Sequence, residues 1–202
     1  MTVLAAPPGA DVRATYDALA PFYDRFTADH DYERWTLELE DLARRHGARG
    51  RRLLDLACGT GKSFAPFLAR GYSVTACDIS PEMLRGAALR AGDSARLLER
   101  DIRRLDQLGA FDLVCCLDDA LNYLTEPGEL DAVFAGIRRN LAPGGVALFD
   151  LNTLWCYRTF FASSAVIEDP SLVLTWSGRA DPSIGPGEIG RASCRERVFI
   201  TV

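Results

Sequence analysis

The sequence predicts an α/β fold, a doubly wound and mostly parallel sheet with helices on both faces. Three observations carry this. Short, mainly apolar runs at 52–57, 73–77, 112–117 and 146–149 alternate with helical stretches. Strands covered on both faces read as continuous apolar runs, not as an alternation of polar and apolar residues. The first run also leads through glycines into a helix, the strand–loop–helix unit of open α/β sheets.

The elements follow in order. Residues 1–10 contain Pro7-Pro8-Gly9 and read as a loose tail. Asp11 to Ala28 places Tyr16, Leu19, Phe22, Tyr23 and Phe26 at helical spacing, and Pro21 is expected to break it into two short helices. Tyr32 to Arg45 is a stronger helix, with Trp35, Leu39 and Leu42 on one face and Gly47 as its stop. After the strand at 52–57 comes a helix from Phe64 to Arg70, capped by Gly71. Ser73–Cys77 is a strand, and Ser80-Pro81-Glu82 starts a helix with Ser as N-cap and Pro at the first turn. Arg96–Glu99 and Asp112–Leu117 are strands, Glu129–Leu141 is a helix, and Pro143-Gly144-Gly145 turns into Val146–Phe149. Beyond Asp150 a short helix is expected from Leu154 to Phe161, with a hairpin of Val166-Ile167 and Leu172–Trp176.

Composition bounds the function. With 202 residues the chain suits one domain, and 48% hydrophobic residues give it a core to bury. The net charge of -5 and the absence of a basic run argue against nucleic acid as partner. No apolar stretch approaches the ~20 residues needed to cross a bilayer, and residues 1–10 lack a secretory leader, so a cytoplasmic location is expected. Cys58, Cys77, Cys115, Cys116, Cys156 and Cys194 form no CxxC pair, and His30 and His46 are the only histidines. Buried free thiols are therefore expected, and no metal site.

The chemistry centres on Leu53-Leu54-Asp55-Leu56-Ala57-Cys58-Gly59-Thr60-Gly61-Lys62-Ser63. Glycines there let backbone approach a ligand. Gly61-Lys62-Ser63 matches the end of a phosphate-binding P-loop, but position 56, where its first glycine belongs, is Leu. Gly59-x-Gly61 fits a dinucleotide loop, but Phe64 holds the third glycine's place. A third reading uses three carboxylates. Asp55, Asp78 and Asp101 recur every 23 residues, at or beyond the ends of successive strands, where open α/β sheets bind ligands. A carboxylate there can bond a ribose diol with its two oxygens. Solvated loop acids are the plainer account of the same three residues.

At these residues the sequence resembles the class I S-adenosylmethionine (SAM)-dependent methyltransferases of small-molecule type, over roughly residues 12–152. DLACGTG is similar to their first motif and CDISPEML to their second. RDIRRL, FDLVCCLDDALNYL and LAPGGVALFDLN are similar to the segments that follow. The resemblance implies a Rossmann-like core at 47–152 that binds SAM, N-terminal lid helices within 1–46, and part of a substrate-side insertion at 153–187. It implies that Ala57, Gly59 and Gly61 line the methionine part of SAM, with Asp55 orienting the loop or bonding the methionine ammonium. Asp78 would hold the ribose, Ile79 and Met83 would lie beside the adenine, and Asp101 and Ile102 would meet its edge and face. Leu117 and Asp118 would close the site, with Tyr16 and Tyr23 on the lid. For Tyr16, Tyr23 and Trp35, packing in the core is the competing account. No catalytic base is evident; the candidates are Asp118, Asn122 and Tyr23, with Asp119, Tyr123 and His30 nearby or on the lid side. The expected function is methyl transfer to a small-molecule acceptor. The alternatives are an NAD(P)-dependent oxidoreductase or a truncated SAM-binding fragment without activity.

The end of the chain departs from the family. The resemblance implies two closing strands, which are expected to be missing after Trp176, so the edge beside the fifth strand is expected to be open. Glu188–Val198 (EIGRASCRERV) has no apolar periodicity or cap and resembles a translated sequencing adapter. Residues 188–202 are accordingly read as a non-native tail, with a basic C-terminal arm as the alternative.

Overall fold

The structure is a computed structural model that describes residues 11–159, 164–169, 172–177 and 200–201. Helices α1 (Val12–Phe26) and α2 (Tyr32–Arg45) precede β1 (Arg52–Leu56), α3 (Ala65–Ala69), β2 (Ser73–Asp78), α4 (Pro81–Ala91) and β3 (Ala95–Glu99). Then come β4 (Phe111–Cys116), α5 (Glu129–Asn140), β5 (Leu141–Phe149) and α6 (Leu154–Thr159). The hairpin strands β6 (Ser164–Asp169) and β7 (Leu172–Ser177) pair with each other, and β8 (Ile200–Thr201) joins the main sheet. The sheet order is β3-β2-β1-β4-β5-β8, parallel throughout except for β8.

Alternation along each strand builds two cores. Leu53, Val74, Leu113, Cys115, Val146 and Leu148 meet Trp35 and Leu39 of α2, Phe67 of α3 and Ala87 of α4. Leu54, Leu56, Cys77, Val114, Cys116, Ala147 and Phe149 meet Val133 and Ile137 of α5. Both faces are therefore dry, which explains the continuous apolar runs. Trp35 is 2% exposed, so the packing account holds for it. Buried Glu40 accepts from Arg70 Nε at 2.8 Å and pairs with Arg44, fastening α2 to the end of α3. Cys58, Cys77, Cys115, Cys116 and Cys156 are free and buried, as expected.

Local signals set most boundaries. The Ser80 Oγ accepts from the Met83 N–H at 3.1 Å, and the Asp31 side chain caps α2 through the Arg34 N–H at 3.0 Å. Two expectations are corrected. α1 runs unbroken through Pro21. The hydrogen bond that Pro21 forfeits, a loss of roughly 3 kcal/mol in a helix interior, is offset by contacts on both sides of it. Tyr16 and Asp17 before it, and Asp24 after it, are bonded to Tyr123, Ser80 and Thr60 respectively. β5 begins at Leu141, ahead of the Pro-Gly-Gly segment, with a register shift where it faces Phe111–Leu113. Gly145 permits this approach: a Cβ there would lie 2.7 Å from the Phe111 carbonyl oxygen.

Ile200 and Thr201 pair with Phe149 and Leu148, so the β5 edge is covered at those two positions, where the sequence predicts an open one. The Pro- and Gly-rich residues 181–187, Cys194 and the rest of the tail at 188–199 and 202 lie outside the described residues. Among the described residues no helix is long and apolar enough to cross a membrane.

Candidate functional site

β2 and β3 lie on one side of β1, and β4 and β5 on the other. This reversal opens a crevice at the carboxyl ends of β1 and β4, the place where open α/β sheets bind ligands. The crevice holds a cavity with about 910 Å³ of space, counting its open mouth.

The loop after β1 forms its floor. Ala57, Gly59 and Gly61 have φ of 53°, 54° and 84°. Ala57 is a non-glycine residue in the left-handed region, a strained conformation of the kind that gathers at ligand sites. The Cys58 N–H reaches the Cys77 carbonyl at 3.0 Å, and the Gly59 N–H donates to Asp78 Oδ2 at 2.9 Å. A Cβ on Gly59 would meet Tyr23 at 3.5 Å, across the floor of the cavity. Gly61 serves another purpose. A Cβ there would lie 2.4 Å from Cζ of Phe64, a fully buried ring, and Gly61 is not on the cavity wall. This glycine is demanded by packing under the loop.

Asp78 ends β2 with its second oxygen accepting from the Ser80 N–H at 2.9 Å. Burial pushes this carboxyl up, and the backbone N–H groups of Ser80 and Gly59 pull against it. Each oxygen retains acceptor capacity toward the cavity. Ile79 and Ile102 line the same end. Asp101 is there too. Burial alone would raise its carboxyl, but the Arg103 guanidinium at 2.7 Å holds it below the usual range.

Besides Gly61, three predicted residues lie off the cavity wall. Met83 is fully buried in α4 and off the cavity wall. Asn122 is tied to Asn152, donating to its carbonyl at 3.2 Å and accepting from its N–H at 2.9 Å. Asp55 lies beneath the loop, where it accepts from Ser63 Oγ at 2.6 Å, and its other oxygen is buried without a hydrogen bond. Burial raises its carboxyl to about 7. The folded state thus holds this proton more tightly than the unfolded chain, whose carboxyl titrates near 4. The stability this confers is present below about pH 4 and lost as pH rises through 7. Asp55→Asn keeps an acceptor for Ser63 and never ionises. It is expected to be more stable than the wild type by about 2–4 kcal/mol at pH 8, the gap closing toward pH 4. Urea melts at both pH values check this; equal stability at pH 8 would place the Asp55 charge in water.

The opposite end is aromatic and acidic. Tyr16, Tyr23, Tyr32, Tyr123, Leu117 and Asp118 line it. The Tyr16 hydroxyl donates to that of Tyr123 at 2.8 Å, and the Tyr32 hydroxyl donates to Asp118 Oδ2. Burial raises the Tyr16 and Tyr23 phenols well above 10, so both stay protonated at neutral pH. For these two tyrosines the cavity wall, not the core, is the location. Asp118 and Asp119 are both left-handed, with φ of 59° and 55°. The Asp119 N–H donates to Asp150 Oδ2 at 3.1 Å, and Asp119 Oδ2 accepts from Asn152 at 2.6 Å. Burial, with Asp150 beside it, raises the Asp119 carboxyl.

α1 is latched over the loop. Thr60 Oγ1 and Arg90 Nη2 each donate to Asp24 at 2.5 Å. Lys62 Nζ donates to the carbonyl and hydroxyl oxygens of Thr27 at 2.7 and 2.9 Å. Lys62 of the Gly-Lys-Ser sequence therefore fastens the end of α1 to the loop, where a P-loop would aim the lysine at phosphate. Tyr32, Arg100 and Arg103 line the cavity without having been singled out, and Lys62 lines it in a role other than the phosphate contact weighed for it. For Tyr32 the available signal was its place at the first turn of a helix whose apolar face it joins.

The family described as a methyltransferase domain matches residues 53–145. A Bacillus subtilis protein named as a methyltransferase, YqeM, is 31% identical over 169 residues, covering 82% of this chain and 67% of that protein. A SAM-dependent methyltransferase from Clostridium acetobutylicum superposes with a TM-score of 0.70 at 28% identity, covering 82% of this chain and 70% of the other. CalS10 of Micromonospora echinaspora, an amino pentose methyltransferase solved with SAM bound, superposes with a TM-score of 0.63 at 28% identity, covering 72% of this chain and 61% of the other. The matched methyltransferase domain, the relative 31% identical over 82% of this chain and the superposed SAM-dependent enzymes agree: the chain belongs to the SAM-dependent methyltransferases.

Proposed function

We propose that this chain binds SAM along the cavity, with the ribose on Asp78, and methylates a small-molecule acceptor at the tyrosine end. The carrying observation is the cavity itself. One wall offers Asp78, Asp101, Ile79 and Ile102, the floor is bare loop backbone at Gly59, and the far wall is Tyr16, Tyr23, Tyr32 and Asp118. A ribose diol needs a carboxylate acceptor, an adenine needs apolar faces, and methyl transfer needs a dry, aligning pocket. SAM supplies an electrophilic methyl group when bound. The chain's own residues hold and orient: the tyrosines exclude water, and their protonated hydroxyls position an acceptor. Asp118, on the wall, is the group able to take a proton where the acceptor must lose one. Asn122, an amide held in its pairing with Asn152, is no base. An amino sugar, the kind of substrate named for CalS10, is one acceptor class of suitable size.

Phe64 bears on the oxidoreductase alternative. It occupies the third glycine position of a dinucleotide loop as a fully buried ring, which removes the close helix–strand approach that such loops use. Calorimetry with SAM and with NADH is the test. SAM is expected to bind and NADH not to; the reverse result would overturn the reading.

A further inference from the structure

The charges around the tyrosine end are unevenly committed. Asp101 is engaged by Arg103, Asp78 accepts two backbone N–H groups, and Lys62 is drawn back onto Thr27. Asp55 and Asp119 are off the cavity wall. Among the described residues lining that end, Asp118 supplies the carboxylate, with the Tyr32 hydroxyl on one oxygen. His30 stands beside the other, its Nδ1 3.6 Å from Oδ1, with a 14% exposed side chain and its ring stacked on Tyr32 at 5.6 Å. A carboxylate on the wall and a titratable cation against it form one unit.

We propose that Asp118 selects the cofactor by charge, favouring SAM over its neutral product S-adenosylhomocysteine (SAH), and that protonated His30 weakens this preference. The inference rests on the cofactor reading above, in which an adenosine at the Asp78–Asp101 end leaves the sulfur at the Asp118 end. In the transfer the acceptor's lone pair forms the bond to the methyl carbon, and the carbon–sulfur pair stays on sulfur. The positive charge passes to the methylated acceptor, which sheds a proton where it carries one. A fixed carboxylate and nearby tyrosine faces attract the sulfonium and have no such hold on the thioether. The same contact that draws SAM in therefore lets SAH go.

The sign of the pH dependence follows. Tyr23 and Tyr32 from α1 and α2, Lys62 from the loop, Asp119 from the same turn, and Asp55 and Asp78 from β1 and β2 also face Asp118 or its surroundings. His30 loses its charge as pH rises, so Asp118 favours the cation more strongly. Asp55, raised by burial to about 7, gains negative charge and tilts the preference the same way. His30→Phe separates the contributions, because it keeps a ring on Tyr32 and removes the imidazolium.

The experiment is calorimetry of the full chain with SAM and with SAH at about pH 6 and about pH 8, spanning the histidine range. The wild type is expected to prefer SAM more strongly at the higher pH. Asp118→Asn, which preserves an acceptor for Tyr32, is expected to lower the SAM-to-SAH affinity ratio about tenfold at the higher pH with SAH affinity nearly unchanged. Retained SAH binding also establishes that the variant is folded. His30→Phe is expected to lose less of the higher-pH ratio at the lower pH than wild type, the remaining slope being that of Asp55. An Asp118→Asn ratio within about twofold of wild type, or a His30→Phe slope equal to wild type, overturns the proposal. Failure of the wild type to bind either ligand overturns the cofactor reading on which it stands.

Discussion

Gly61→Val is expected to lower the melting temperature of the ligand-free chain by roughly 10 °C. A φ of 84° costs an L-residue about 1–2 kcal/mol, more when it is β-branched. The new Cβ would start 2.4 Å from Cζ of Phe64, whose ring is fully buried and has no room to retreat. Overpacking of this kind costs typically 1–3 kcal/mol, so the two effects together remove about 2–5 kcal/mol from a stability of about 5–15. At 2–4 °C per kcal/mol for a chain of this size, the shift follows. SAM binding should fall as well, but as a consequence of the displaced loop. A variant melting within about 2 °C of wild type would mean that Phe64 swings aside at little cost.

Asp78→Ala is expected to weaken SAM binding about tenfold to a hundredfold. A charge-assisted hydrogen bond is worth roughly 1.5–3 kcal/mol, and 1.4 kcal/mol is one decade of affinity. The structure adds a second consequence. The Gly59 and Ser80 N–H groups lose their acceptor, so the loop floor loosens and the apo protein is destabilised too. Calorimetry together with an apo melt reads both effects. Unchanged affinity in a folded variant would remove Asp78 from the ribose, whatever the melt does.

The residues whose roles were legible in the sequence are those governed by near neighbours along the chain. Strand positions follow from apolar runs, since both sheet faces are covered. The start of α4 follows from Ser80-Pro81, and the end of α2 from His46-Gly47, where Gly47 has a φ of 104°. The order of acids along the chain placed Asp78 and Asp101 at the carboxyl ends of β2 and β3, because parallel strands joined by short crossovers bring those ends to one side.

Only the tertiary structure decided the rest, because it depends on which distant groups meet. Pro21 stays helical through contacts of α1 with residues 36 to 107 positions away. Gly61 faces Phe64 where a ligand was expected, and Met83 points into the core, since side-chain direction depends on packing that spacing does not encode. Asp55 and Asp118 carry the same side chain, yet burial beneath the loop holds one near neutrality while the other stands at the cavity wall beside His30, 88 positions earlier in the chain. Charge state is set by the solvent and partners around a group, and these exist only once the chain has folded.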